Sequence, residues 1–183
     1  RIEFFNPSGD KAEACGNGTR CVSKILFDEI NKKEIKILSE ARILHASKID
    51  ESNISINLGK LSHKWEKIPL SQITDTLNIP IKINGFESGV AVNIGNPHIV
   101  FFGNDIENID LEKIGPQIEN NKLFPNKINV EIIKIINRKK IKMRVWERGV
   151  GITLACGSGA SASVYAGQLK KYLDNNVEVE LER

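Results

Sequence analysis

No run of apolar residues in this 183-residue sequence approaches the roughly 20 needed to cross a bilayer, which excludes a membrane-spanning helix from this segment. Cysteine is scarce. Cys15, Cys21 and Cys156 are an odd set, at spacings that match neither a disulfide framework nor paired CxxC zinc ligands. Free thiols in a reducing, cytoplasmic compartment are therefore expected. His45, His63 and His98 are scattered, and there is no phosphate loop, dinucleotide fingerprint or clustered metal-ligand set. Charge of one sign is not in excess: 26 basic against 23 acidic residues leave a net +3, with only short basic clusters such as Arg138-Lys139-Lys140. A solvated surface is the expectation, not a nucleic-acid groove. The sequence opens at Arg1 in a strand-like run, without a methionine, and closes at Arg183 after another, so both ends read as cut and a preceding leader stays open.

What is present suits a globular protein. With 40% hydrophobic and 27% charged residues, the chain can bury one large core or two modest ones. Short alternating segments predict strands at Arg1 to Phe5, Ile35 to Leu38, Ile54 to Leu58, Val90 to Ile94, His98 to Phe102, Val130 to Ile136, Ile141 to Trp146 and Val177 to Leu181. Asn137 to Lys140 reads as a hairpin turn. Cys21, Val22, Ile25, Leu26 and Ile30 recur at helical spacing and predict an amphipathic helix from Asn17 to Asn31. From Gly159 to Gly167 small residues run nearly all round a helix, as suits one closely surrounded by other backbone. A polar helix is predicted from Asp110 to Asn120, weakened by Gly115-Pro116. The boundary between two α+β lobes is placed near Gly59 to Ser71, with Trp65 to Pro69 as a connecting segment, giving lobes of residues 1–62 and 63–183.

One pattern occurs twice: Ala14-Cys15-Gly16-Asn17-Gly18 and Ala155-Cys156-Gly157-Ser158-Gly159, each between an extended run and a helix. Glycines let backbone approach a ligand closely, and the exposed N–H groups at a helix start favour an anion, so each cysteine is expected to have a depressed pKa. A lone Cys-Gly turn is more often structural, since free cysteine is among the most buried residue types. Duplication of the whole pattern is harder to explain by packing. Cys21, on the apolar stripe, is expected to fill the core.

These residues belong to a longer set. Phe5-Asn6-Pro7-Ser8-Gly9 through Ala14-Cys15-Gly16-Asn17-Gly18-Thr19-Arg20-Cys21 resembles the first signature of diaminopimelate epimerases, and Glu147-Arg148-Gly149 through Ala155-Cys156-Gly157-Ser158-Gly159-Ala160 resembles the second. Between them, Gly95-Asn96-Pro97-His98 and Phe124-Pro125 with Asn129-Val130-Glu131 are similar to the family's two intermediate motifs, in the same order. The resemblance implies an α+β fold of two similar lobes, each a curved β layer around a central helix, with the active site between them. It further implies LL- and meso-2,6-diaminopimelate as the interconverted pair, no pyridoxal phosphate and no metal, and leaves room for a homodimer.

On the same resemblance, Cys15 and Cys156 exchange the α-proton, each as acid or base according to direction, with coupled titrations. Gly16-Asn17 and Gly157-Ser158 would supply backbone donors to the carboxylate beside the reacting carbon. His98 and Glu147 match positions that assist the thiols; the alternatives are a histidine that packs or caps and a glutamate paired with Arg148. Asn6, Asn96, Asn129, Glu147 and Arg148 match substrate-binding positions, with Arg148 suited to a distal carboxylate. Asn6 and Asn96, each before a proline, also read as turn residues. Three positions depart from the family pattern: Ile152 stands where an acidic residue is usual, Ser8 where Asp is common and Lys11 where Glu is common. The family also draws substrate contacts from sequence preceding the position of Arg1. Other readings open to the sequence are a related racemase of another amino acid, a thiol redox protein, and a binding module.

Overall fold

The computed structural model describes residues 1–5, 9, 11–12, 15–39 and 42–181. The chain divides into two compact units, Arg1–Lys60 and Leu61–Arg183.

In the first unit, β1 (Phe4–Phe5) pairs antiparallel with β2 (Lys11–Ala12). Next come α1 (Gly16–Ile30) and an antiparallel meander of β3 (Glu34–Leu38), β4 (Ile43–Lys48) and β5 (Ile54–Asn57). Helix α1 lies against β4 and β5, with Phe27, Ile37 and Ala46 as the shared core. The face it buries is not the predicted one. Thr19, Ser23 and Phe27 point inward, while Cys21, Ile25 and Ile30 are exposed. Hydroxyls are admissible there because the helix itself satisfies them: Thr19 Oγ1 donates to the Cys15 carbonyl at 2.8 Å and Ser23 Oγ to the Thr19 carbonyl at 2.7 Å. Cys21 therefore does not fill the core.

The second unit contains β6 (Val90–Asn93), β7 (Pro97–Phe102), α2 (Leu111–Glu119), β8 (Asn129–Asn137), β9 (Lys140–Glu147), β10 (Gly151–Ile152), α3 (Gly157–Leu169) and β11 (Glu178–Leu181). Strands β6 to β9 lie side by side in sequence order, with the β7–β8 pair parallel and its neighbours antiparallel. The outer edge of β9 is divided: β10 pairs with Trp146 and Glu147, and β11 runs parallel to Lys140 through Met143.

Alternation along β8 sends Val130 and Ile132 into a core with Leu111, Ile114 and Ile118 of α2. Ile133 goes into a second core with Ala162 and Ala166 of α3. A mixed sheet with a helix on each face is an α+β arrangement.

Every residue of α3 is buried or half-buried, as its small side chains led one to expect. Helix α2 tolerates Gly115 because the glycine makes room for an aromatic ring: a Cβ there would lie 2.5 Å from a ring carbon of Trp146. Residues Trp65 to Pro69 do not form a linker. Ile68 and Leu70 are buried in the α2-side core, and Ser62 already bridges Asn93, so this stretch is an integral part of the second unit. Among the described residues, no helix is long and apolar enough to cross a membrane.

Candidate functional site

The two cysteine turns have the same geometry. Cys15 caps α1 with φ −141° and ψ 100°, and Cys156 caps α3 with φ −132° and ψ 107°. Each Sγ accepts the backbone N–H three residues on, from Gly18 and Gly159 respectively, at 3.3 Å. The thiol thus occupies the place that a serine or aspartate oxygen usually takes at a helix start. Both glycines permit close approach: a Cβ on Gly18 would lie 2.7 Å from the Phe4 ring, and one on Gly159 would lie 2.6 Å from Glu131 Oε1. Cys15 and Gly16 are half-buried, as are Asn17 and Gly157.

Around Cys156 the second unit brings together some of the residues singled out in the sequence. Cys156 Sγ is 3.4 Å from Ser158 Oγ, and Asn96 Nδ2 donates to the same hydroxyl at 3.4 Å. His98, fully buried, has Nδ1 2.7 Å from Oε1 of Glu131, which is also fully buried. Glu147, at the end of β9, accepts a short hydrogen bond from the Thr153 hydroxyl.

The expected depression of the thiol pKa does not hold at Cys156. Burial, reinforced by the carboxylates of Glu131 and Glu147, pushes the thiol up to about 12. Donation from Ser158 and from the Gly159 N–H pulls the other way without reversing it. The magnitudes explain the outcome: a helix start is worth up to about 2 kcal/mol to an anion, whereas removing a charge from water costs several times that. Cys156 therefore keeps its proton at neutral pH.

Asn129 is buried and ties strand ends together: Nδ2 donates to the Pro97 carbonyl at 2.8 Å, and Oδ1 accepts the Arg148 N–H at 2.9 Å. Arg148 also donates from Nη1 to the Asn126 carbonyl at 3.0 Å. The turn after β9 is held from below by Glu119 of α2, whose carboxylate accepts from Trp146 Nε1 at 2.7 Å and from the Gly149 N–H at 3.0 Å. Ile152, on β10, is 41% exposed. Asn6 and Ser8 lie outside the described residues, and Lys11 is an exposed residue of β2.

The sequence reading quoted Glu131 within a motif but gave no role to it, nor to Thr153 or Glu119. A charged residue in the middle of an apolar strand was the available signal for Glu131.

A surface groove of about 570 Å³ beside β9 and β11, lined by Glu107, Lys142, Arg144 and Glu180 among others, contains none of these site residues. Among the described residues, no group of three or more His, Cys, Asp or Glu is arranged to hold a metal ion.

Gly159→Ala is expected to lower turnover about tenfold to a hundredfold with the fold retained, because the buried Glu131 carboxylate has no solvent to swing into. Steady-state kinetics beside a thermal melt would check it, and unchanged kcat would refute it.

The fold resembles that of two solved phenazine biosynthesis proteins of the PhzF family. The Bacillus anthracis protein matches with TM-score 0.57 at 18% identity, over 96% of this chain and 63% of that one. The Enterococcus faecalis protein matches with TM-score 0.55 at 14% identity, over 93% and 62%. At such identities the likeness defines an architecture, and the family follows from sequence relatives. The family model described as diaminopimelate epimerase matches residues 90–183. The diaminopimelate epimerase of Pelagibacter ubique is 43% identical over 98% of this chain, and that of a Wolbachia of Drosophila simulans is 46% identical over 94%. The chain spans 67% and 66% of those relatives' lengths, respectively. The chain belongs to the diaminopimelate epimerase family, and its enzyme class is that of the isomerases.

Proposed function

We propose that the whole protein interconverts LL- and meso-2,6-diaminopimelate by two-base proton exchange, with the substrate α-carbon held between the thiols of Cys15 and Cys156. The observation that carries this reading is the pair of cysteine-capped helix starts with one geometry. In one direction, a thiolate on Cys15 removes the α-proton and becomes a thiol. Cys156 delivers its proton to the opposite face and becomes a thiolate, which the Ser158 hydroxyl and Gly159 N–H receive as donors. The reverse direction exchanges the roles. Because Cys156 keeps its proton at neutral pH, it is the resting acid of the pair.

Backbone N–H groups of Gly16-Asn17 and Gly157-Ser158, at the positive ends of α1 and α3, suit the carboxylate onto which carbanion charge spreads. Asn96 and Arg148, with Asn6, are the substrate-orienting groups in this reading. Asn129 acts through its hold on the Arg148 backbone. His98 and Glu147 assist the thiols in holding protons. Two lobes with the active site between them, in a reducing cytoplasm that keeps both thiols free, complete the proposal.

The test is solvent-deuterium incorporation. The whole protein, incubated with LL-2,6-diaminopimelate in D₂O, is expected to return meso product carrying deuterium at the inverted α-carbon. Product without deuterium, or no conversion, would overturn the proposal. A related racemase is the second reading, favoured by the apolar Ile152 in place of the usual acidic residue. Faster exchange into another amino acid in a substrate panel would select it.

A further inference from the structure

We propose that Glu131 is a positioning residue of this site, whose side chain fixes the tautomer of His98 and so decides whether the distal ring nitrogen gives or takes a proton. The inference rests on the epimerase reading above and adds to it a residue that the sequence motifs left without a role.

Among the described residues, three buried side-chain polar atoms lack a hydrogen-bond partner: Asn96 Oδ1, His98 Nε2 and Glu131 Oε2. Folded proteins rarely leave such atoms orphaned, and these all belong to one site. His98 and Glu131 have no exposed surface at all. Strands β7 and β8 are parallel with His98 opposite Asn129, and Glu131 is two residues further along the same face. This register brings the imidazole Nδ1 and the carboxylate Oε1 to 2.7 Å. Gly159 of α3 leaves room for that same oxygen beneath the helix start, where any side chain would displace it. The second glycine of the cysteine turn thus serves a buried carboxylate.

The groups facing Glu131 are His98 on β7, Glu147 at the end of β9, and Cys156 at the head of α3. Burial is the largest influence and raises the Glu131 pKa; Glu147 adds to it, and His98 opposes. Burial thus shifts the balance of this pair toward the protonated carboxyl. A protonated Glu131 donates to Nδ1, which places the ring hydrogen on Nε2. An ionised Glu131 accepts from Nδ1–H, which leaves a lone pair on Nε2. One proton on the carboxyl thus switches Nε2 from acceptor to donor, and no ion is left unpaired in the core.

The test uses Glu131→Met, which keeps the length without the hydrogen bond, and Glu131→Gln, whose amide can donate to Nδ1 but cannot titrate. The ¹⁵N shifts of the His98 ring, assigned by their loss in His98→Gln, report the tautomer independently of turnover. In the parent, Nε2 is expected to carry the hydrogen at neutral pH. Glu131→Met should abolish that preference and lower kcat about tenfold to a hundredfold with KM within about twofold. Glu131→Gln should retain the tautomer and most of kcat but lose one limb of the pH profile.

Parent-like ring shifts and pH profile in a folded Glu131→Met protein would overturn the inference. Should that variant not fold, a parent-like pH profile in Glu131→Gln would do so. Failure of the parent itself to exchange the α-proton would instead sink the epimerase reading, with the ring shifts still deciding the role of Glu131.

Discussion

Changing Cys156 to alanine in the whole protein is expected to lower epimerisation of diaminopimelate about 10³-fold or more, and changing Cys15 to alanine to do the same. A two-base exchange stops when either base is missing, because a planar carbanion reprotonated only from the side it left regenerates the starting isomer. The double variant should therefore be little worse than either single one, since residues acting as a unit are not additive. Serine separates the chemistry from the fold. Its oxygen accepts the N–H of Gly18 or Gly159 as an ordinary helix cap, so Cys15→Ser and Cys156→Ser should melt close to the parent. Neither should turn over, because an alkoxide is out of reach at neutral pH. Turnover within about tenfold of the parent in either alanine variant would remove the two-thiol mechanism.

The second large effect is on stability in alkali. An acid whose folded pKa lies above its unfolded value contributes stability that is whole below the unfolded value and is lost as pH rises through the folded one. For Cys156 these values are the ordinary 9.0 and about 12. The folded protein holds a proton that the unfolded chain has released, so unfolding free energy falls across that window. The ceiling on the change is about 4 kcal/mol. Lysines and tyrosines titrate in the same range, which makes the difference between parent and Cys156→Ala the informative quantity. Urea unfolding at intervals from pH 8 upward should show the parent losing stability more steeply than Cys156→Ala above pH 9. Parallel curves would mean that the thiol is not held protonated by its surroundings.

Much of the secondary structure was legible because its period is strong. The strands predicted from Val90 to Ile94 and from Val130 to Ile136 form within a residue or two, and so do the three helices. The strand Ile43–Lys48 was not anticipated: its inward residues are only Leu44 and Ala46, with His45 between them and Ile43 exposed beside them. The inward face of α1 was misread for a related reason. Periodicity weighs side chains by hydrophobicity, whereas Thr19 and Ser23 are buried by hydrogen bonds to their own helix, which no apolar pattern records.

The duplicated cysteine turn was equally visible, since caps and close approaches depend on neighbours a few residues away. The environment of the second thiol was not. Glu131 and Glu147 come from separate strands, and their influence on Cys156 depends on burial and distance across the sheet.

The order of residues alone determined where the three helices and most of the strands run, the two helix-capping thiols and the family motifs, because each is a local matter of period, cap and turn. Tertiary structure decided which face of α1 is buried, that residues 65–69 belong to the second unit, and that Cys156 is a protonated thiol over a buried glutamate and histidine. Desolvation and charge act through space, so a pKa expected from a helix start was reversed by burial, with carboxylates far from it in the sequence adding to the effect.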